Sequence, residues 1–332
     1  MAKSKNDIDI SVLIATYSRA EILRQTLESM TGLERDGLSV EFVVVDNNSS
    51  DHTKEVIESF TDRLPLRYLF EHRPGKNCAL NKALNEMPLG KLVVFTDDDV
   101  EPSEDWLKAI MAVSERWPNI SVFGGKIYVV PPKDKVPSWV GDPSRLICNL
   151  GAHHYGEAEC LYPSGRYPFG GNLWVRRGVL ADGRRFDEII GPRAKGRVMG
   201  SETSLLKQLV DDGFSMVYSP EALVGHRIQP EQISVWYIVK RAYWHGRGIA
   251  RMELPICRQE LLRRHPLVWR LIRIGAIVQL SLKLGGSIIA TTVNKELQKV
   301  IDVGLRIGIN VEWVRIATEA KPGRASGSDT VG

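Results

Sequence analysis

Leu92-Val93-Val94-Phe95-Thr96-Asp97-Asp98-Asp99-Val100 is the stretch that decides the fold, an apolar run that ends on three consecutive carboxylates. Bounded by Gly90 and Pro102, the run is too short for a helix and reads as a strand buried on both faces, as in a parallel sheet. Its acids then stand at the carboxyl end, where open α/β sheets bind their ligands. Carboxylate oxygens suit Mg2+ or Mn2+ rather than Zn2+. The plainer alternative is a polar turn capping a helix that starts near Ser103. A cap needs only one acid, however, and three adjacent carboxylates repel one another, which calls for a counter-charge such as a divalent cation with phosphate.

Upstream of this run the same pattern repeats. Ile10–Thr16 is an apolar strand, and Ile22, Leu23, Leu27 and Met30 follow at helical spacing over residues 19–30. Val40–Asp46 is a second strand ending on an acid, with Ser50-Asp51 opening a helix through Val56, Ile57 and Phe60. Leu66–Phe70 is a third strand, Pro74-Gly75 breaks it, and a helix over 77–87 leads back to Leu92. Alternation at this length predicts a doubly wound, mostly parallel sheet. No G-x-G-x-x-G follows the first strand and no G-x-x-x-x-G-K-[ST] occurs, which argues against a dinucleotide dehydrogenase and a P-loop kinase. The strand ends carry Thr16-Tyr17, Asp46-Asn47-Asn48 and Asp97-Asp98-Asp99 instead, side chains suited to a base and a ribose, with the phosphates bridged by metal.

The 332 residues are 43% hydrophobic and 25% charged, an ordinary globular composition long enough for one large domain or two small ones. Cys78, Cys148, Cys160 and Cys257 lack any C-x-x-C or His/Cys spacing for zinc and read as reduced thiols of a cytosolic protein. The first ten residues are polar and charged, unlike a secretory signal peptide. The net charge of +4 is uneven: residues 240–283 hold ten Lys or Arg against Glu253 and Glu260, a local +8, leaving the remainder at −4. Apolar residues interleave with these charges, which favours an anionic membrane surface over nucleic acid. Residues 260–303 have a helical pattern, but Arg270, Arg273 and Lys283 interrupt it before the roughly 18 apolar residues a span requires. In-plane helices on the inner face of the membrane are therefore expected, the alternative being a dimer or domain interface. Residues 316–332 read as a disordered tail.

Four motifs in order, Ala15-Thr16-Tyr17-Ser18-Arg19, Val43-Val44-Val45-Asp46-Asn47-Asn48-Ser49-Ser50-Asp51, Gly75-Lys76-Asn77-Cys78-Ala79-Leu80-Asn81 and Phe95-Thr96-Asp97-Asp98-Asp99-Val100, closely resemble the family-2 inverting glycosyltransferases of the GT-A fold. The resemblance implies a GT-A-type doubly wound sheet over residues 8–230, with a nucleotide-sugar half to about 130 and an acceptor half from 131. A basic amphipathic helical region would follow over 231–315. It implies that Asp46 binds the base, that Thr16, Tyr17 and Arg19 line the nucleotide pocket, and that Lys76 lies near base or phosphate. Asp97 and Asp98 would face the nucleotide sugar, and Asp99 the metal, Mn2+ or Mg2+.

Downstream, Phe169-Gly170-Gly171-Asn172-Leu173-Trp174-Val175-Arg176-Arg177 resembles the family's acceptor-side strand, where Gly170 and Gly171 let a sugar approach the backbone beside Asn172. The stretch Gly200-Ser201-Glu202-Thr203-Ser204-Leu205 resembles the helix start that carries the catalytic base. The family's form there is an acidic pair, whereas this chain has Ser201-Glu202, so Glu202 is the general base by register. His226 in Val224-Gly225-His226 matches the place of a metal or diphosphate ligand. Arg241 and Arg247, in a segment resembling the helix that closes over the site, would reach diphosphate or a phosphorylated acceptor. The implied activity is transfer from a nucleotide-sugar donor, a UDP-sugar, to a glycan or lipid-linked acceptor. A non-catalytic nucleotide-sugar or glycan-binding relative is the competing class.

Overall fold

The computed structural model describes residues 8–133, 150–193, 196–253 and 297–319. Its first half is built as the alternation requires. Strands β1 (Ile10–Thr16), β2 (Val40–Asp46), β3 (Leu66–Phe70) and β4 (Leu92–Thr96) alternate with helices α1 (Ala20–Thr31), α2 (Thr53–Glu58) and α3 (Lys76–Glu86). All three strand pairings among these are parallel. Side chains alternate across a strand, so one set of residues, Ile10, Val12, Ile14, Phe42, Val44 and Val94, packs with Leu23, Leu27 and Met30 of α1. The other set, Leu13, Val43, Val45, Val93 and Phe95, packs with Ala79, Leu80 and Ala83 of α3. Both faces are covered, which is why these strands read as continuous apolar runs. The register sets Thr16 opposite Asp46 and Asp46 opposite Phe70, so the polar ends line one edge of the sheet.

The acidic run is not the tail of a single strand. The chain turns at Asp98-Asp99 and starts β5 (Val100–Pro102), then α4 (Trp106–Arg116). Asp105 precedes α4, so the three acids do not cap it. Next come β6 (Val122–Val130), β7 (Cys160–Leu161), a 3-10 turn (Gly170–Asn172), β8 (Leu173–Arg176), α5 (Ser201–Asp211) and β9 (Met216–Arg227). Among the described residues the sheet runs β3-β2-β1-β4-β8-β6-β9-β5, with β7 on β9. The expected strand over 169–177 begins instead as a tight turn, and the short strand expected over 214–218 continues to Arg227. It continues through a bulge, because Gly125 pairs with Ser219 and Lys126 with Leu223. A Cβ on Gly125 would lie 2.2 Å from both Ala222 O and Asn172 Nδ2, so the bulge closes only over glycine.

One compact unit ends at Tyr237 and a second begins at Ile238, seven residues beyond the expected boundary at 230. In the second unit, α6 (Val235–Glu253) and α7 (Leu297–Glu319) meet at backbone contact. A Cβ on Gly246 would fall 1.9 Å from Leu305 O, and one on Gly308 1.9 Å from Tyr243 O. Helix α7 runs to Glu319, past the start of the expected tail; residues 320–332 lie outside the described residues. So do Met1 to Asp7, Trp139, Cys148, Cys257 and most of the basic belt, including its expected membrane helices. Among the described residues no helix is long and apolar enough to cross a membrane, and Cys78 and Cys160 are free thiols.

Candidate active site

The turn from β4 to β5 carries the acids to the edge where the parallel strands end. Because β5 pairs antiparallel with β9, Val100 stands opposite His226, and Arg227 N donates to Asp99 O at 2.8 Å. A motif at residue 99 and a histidine at 226 are thereby brought together by strand register. His226 Nε2 lies 3.5 Å from Asp99 Oδ1. Its other nitrogen, Nδ1, donates to Leu150 O at 2.8 Å, which fixes the ring and its tautomer. Gly151, at φ +90°, packs close to that ring: a Cβ there would be 3.1 Å from Nδ1.

Asp98 and Asp99 share one guanidinium. Arg19 Nη1 donates to Asp98 Oδ1 at 2.5 Å and Nη2 to Asp99 Oδ2 at 3.0 Å. Asp98 Oδ2 also accepts from Thr16 Oγ1 at 2.8 Å. Burial pushes the Asp98 carboxyl up to about 6; Arg19 pulls it down, but the Asp99 and Asp97 charges add to the rise. Asp99 goes the other way. Burial opposes its charge, but His226 and Arg19 together hold it well below the usual carboxylate range. Asp99 Oδ1 is buried and has no hydrogen-bond partner.

Lys76, the first residue of α3, joins the acidic turn after β4 to the first turn of α5. Its Nζ donates to Asp97 Oδ1 at 2.6 Å and to Glu202 Oε1 at 3.0 Å. Burial works against the ammonium, but the two carboxylates outweigh it and push Lys76 above the ordinary lysine range. Glu202 sits in the first turn of α5, against the 3-10 turn, where a Cβ on Gly170 would be 2.0 Å from Oε1. Gly170 thus makes room for a carboxylate. Asp46 accepts from Ser49 N at 2.8 Å and from Tyr68 Oη at 3.3 Å, and burial together with Asp46 pushes the Tyr68 phenol up to about 12. Tyr17 is half-exposed just beyond β1.

Several expected contacts are committed elsewhere. Asn172 is fully buried; its Nδ2 donates to Lys126 O and Ala222 O, and its Oδ1 accepts from Trp106 Nε1, so it braces three segments instead of meeting an acceptor. Gly171 O accepts from Thr96 Oγ1 at 2.8 Å, fastening the turn to β4. Thr16 and Asp98 are buried against each other and shape the acidic turn. Arg247 is buried in the second unit, its Nε donating to Glu312 Oε2 at 2.6 Å, so its charge is matched within its own unit and not by a phosphate. Arg241 lies half-buried on the same helix. Two residues passed over as site residues emerge. Ser201 donates to Asn77 Oδ1, and Asn77 Nδ2 donates to Asp187 O and Ile190 O. The signal was Ser201 standing where an acid was expected.

The family model described as "Glycosyl transferase family 2" matches residues 11–183, just over half of the chain. The chain belongs to this family. Two curated relatives give this glycosyltransferase its context by sequence. It is 25% identical over 255 residues to the "Glucosyl-dolichyl phosphate glucuronosyltransferase" of Haloferax volcanii, covering 74% of this chain and 77% of that protein. It is 25% identical over 257 residues to the "Succinoglycan biosynthesis protein ExoM" of Rhizobium meliloti, covering 74% and 75%. Among solved structures, a mannosyltransferase from Pyrobaculum calidifontis in complex with GDP-Man and Mn2+ superposes with a TM-score of 0.52 at 16% identity, covering 95% of this chain and 74% of that one. That likeness gives this glycosyltransferase its GT-A fold.

Proposed function

We propose that this glycosyltransferase moves a sugar, with inversion at the anomeric carbon, from a nucleoside-diphosphate donor to a hydroxyl of a glycan or lipid-linked acceptor. Asp99 and His226 hold a divalent cation, and Glu202 is the general base. The observation that carries the reading is Asp99 Oδ1, a buried carboxylate oxygen without a hydrogen bond, 3.5 Å from an imidazole nitrogen. With the Nδ1 proton of His226 given to Leu150 O, Nε2 faces the carboxylate across a gap too long for a good hydrogen bond, and a cation between the two would match both. Oxygen and imidazole together fit Mn2+ better than the harder Mg2+. Among the described residues no group of three or more His, Cys, Asp or Glu converges on one point. Oxygens of the donor's diphosphate would supply further ligands.

When bound, the cation neutralises the charge that develops on the departing diphosphate. Glu202 works on the opposite side. Lys76 occupies Oε1 and fixes the carboxylate, and Oε2 takes the proton of the attacking hydroxyl, a step worth about 10²–10⁴ in rate. Asp46, steadied by Ser49 and Tyr68, receives the base, and Asp97 faces the ribose. Support for donor and metal comes from the Pyrobaculum calidifontis enzyme, whose structure holds GDP-Man and Mn2+. The Haloferax volcanii relative, a glucosyl-dolichyl phosphate glucuronosyltransferase by name, supports a lipid-linked acceptor. The basic, apolar residues 254–283, which lie outside the described residues, would by their composition meet the anionic inner membrane face where such acceptors lie.

The test is turnover of a panel of UDP- and GDP-sugars with and without Mn2+, by the native chain and by Asp99→Ala. Release of nucleoside diphosphate from one donor, dependent on Mn2+ and lost in Asp99→Ala, is expected, and the donor that reacts names the sugar. Binding of donors without turnover, even with crude membrane acceptor supplied, would overturn the catalytic reading in favour of a binding protein.

A further inference from the structure

The catalytic base is gripped twice from one turn of α3. Lys76 holds the Glu202 carboxylate, and the next residue, Asn77, holds the hydroxyl of Ser201, the residue before Glu202. Ser201 and Asn77 are both buried. The direction of their bond is determined. Asn77 spends both Nδ2 hydrogens on Asp187 O at 2.7 Å and Ile190 O at 3.0 Å, which leaves Oδ1 facing Ser201, and an amide oxygen only accepts. Ser201 is therefore the donor. Gly191, at φ +115°, closes the space: a Cβ there would be 3.0 Å from Ser201 Oγ and 3.3 Å from Asn77 Oδ1. Gly200, at φ +110°, turns the chain into α5 at this point.

We infer that Ser201 and Asn77 are a positioning pair that sets Glu202 against the attacking hydroxyl, and that this site requires a small hydrogen-bond donor at 201, not a second acid. The inference rests on Glu202 being the base. A carboxylate at 201 would meet Asn77 Oδ1 acceptor to acceptor in a buried contact, and flipping the amide would only aim Oδ1 at two carbonyl oxygens. Ser201 here is thus a substitution that belongs with Asn77. The sign of the expected effect is the reverse of what the family's acidic pair suggests, since restoring an acid should weaken catalysis.

The experiment compares Ser201→Thr, Ser201→Ala and Ser201→Asp in the full chain, reading kcat for donor turnover and the affinity for UDP with Mn2+ in the same preparations. Ser201→Thr should stay within about threefold of the native kcat. Ser201→Ala should lose about tenfold and Ser201→Asp on the order of 100-fold, since small displacements of a catalytic group cost this much. Nucleotide affinity should hold throughout, because only transition-state alignment is disturbed. If Ser201→Asp does not fold, the contrast of Ala with Thr carries the test alone. Native kcat in Ser201→Ala, a kcat at or above native in Ser201→Asp, or parallel loss of kcat and nucleotide affinity overturns the inference. Native turnover in Glu202→Gln would instead overturn the assignment of the base, and the inference with it.

Discussion

At the scale of single residues, the site depends as much on what is missing from Gly170 as on what Glu202 supplies. A methyl group at 170 would stand 2.0 Å from Glu202 Oε1, so Gly170→Ala must drive the carboxylate out of its place beside Lys76. The expected result is a loss of kcat on the order of 100-fold, with the melting temperature and UDP affinity little changed. Native activity in that variant would mean that Glu202 works from another position. Asp97, Asp98 and Asp99 stand out in the sequence because three consecutive acids exceed what a helix cap needs, and Glu202 stands out only through its place in the family's register. What Asn172 and Arg247 do was not legible. Their partners, Trp106, Lys126 and Ala222 for one and Glu312 for the other, lie 46 to 66 residues away, and no local pattern reports that a polar side chain is satisfied from such a distance.

At the scale of elements, the parallel half was readable and the antiparallel half only in part. β1, β2 and β4 are buried on both faces, so their apolar runs stand out and their ends fall where the polar residues begin, whereas β3 at the sheet edge is half-exposed. β9 hides its length, because Pro220 and Glu221 break the pattern and the strand survives them by bulging over Gly125. β5 is three residues long and carries no pattern of its own. Yet its pairing with β9 is what delivers His226 to Asp99. The juxtaposition proposed to hold the metal is thus a product of register, and the sequence alone offered His226 only through its family resemblance.

At the scale of the whole molecule, an aromatic cluster joins the second half of the sheet around a buried histidine. His153 bridges to Ile127 and lies among Tyr155, Tyr162, Phe169 and Tyr218, with its ring 4.4 Å from that of Phe169. Burial, helped by the nearby His154, lowers its pKa from 6.5 to about 4. The unfolded chain takes up this proton near pH 6.5 and the folded one only near 4. His153 therefore stabilises the fold fully above about pH 6.5, and that contribution is lost as the pH falls towards 4, up to about 3 kcal/mol in all. The melting temperature should be lower at pH 5 than at pH 7, and His153→Phe should shrink that drop. An equal drop in the variant would mean that other groups carry the pH dependence.

These scales meet at Glu202, held by Lys76 from α3, by the missing side chain of Gly170 and by the start of α5. The most direct measurement is kcat of Glu202→Gln at saturating donor and Mn2+, with donor affinity determined on the same protein. Loss of at least about 100-fold in kcat with donor affinity retained is the result expected of a general base. A kcat within about twofold of native would contradict the account, because a glutamine in the same place cannot take the proton of the attacking hydroxyl.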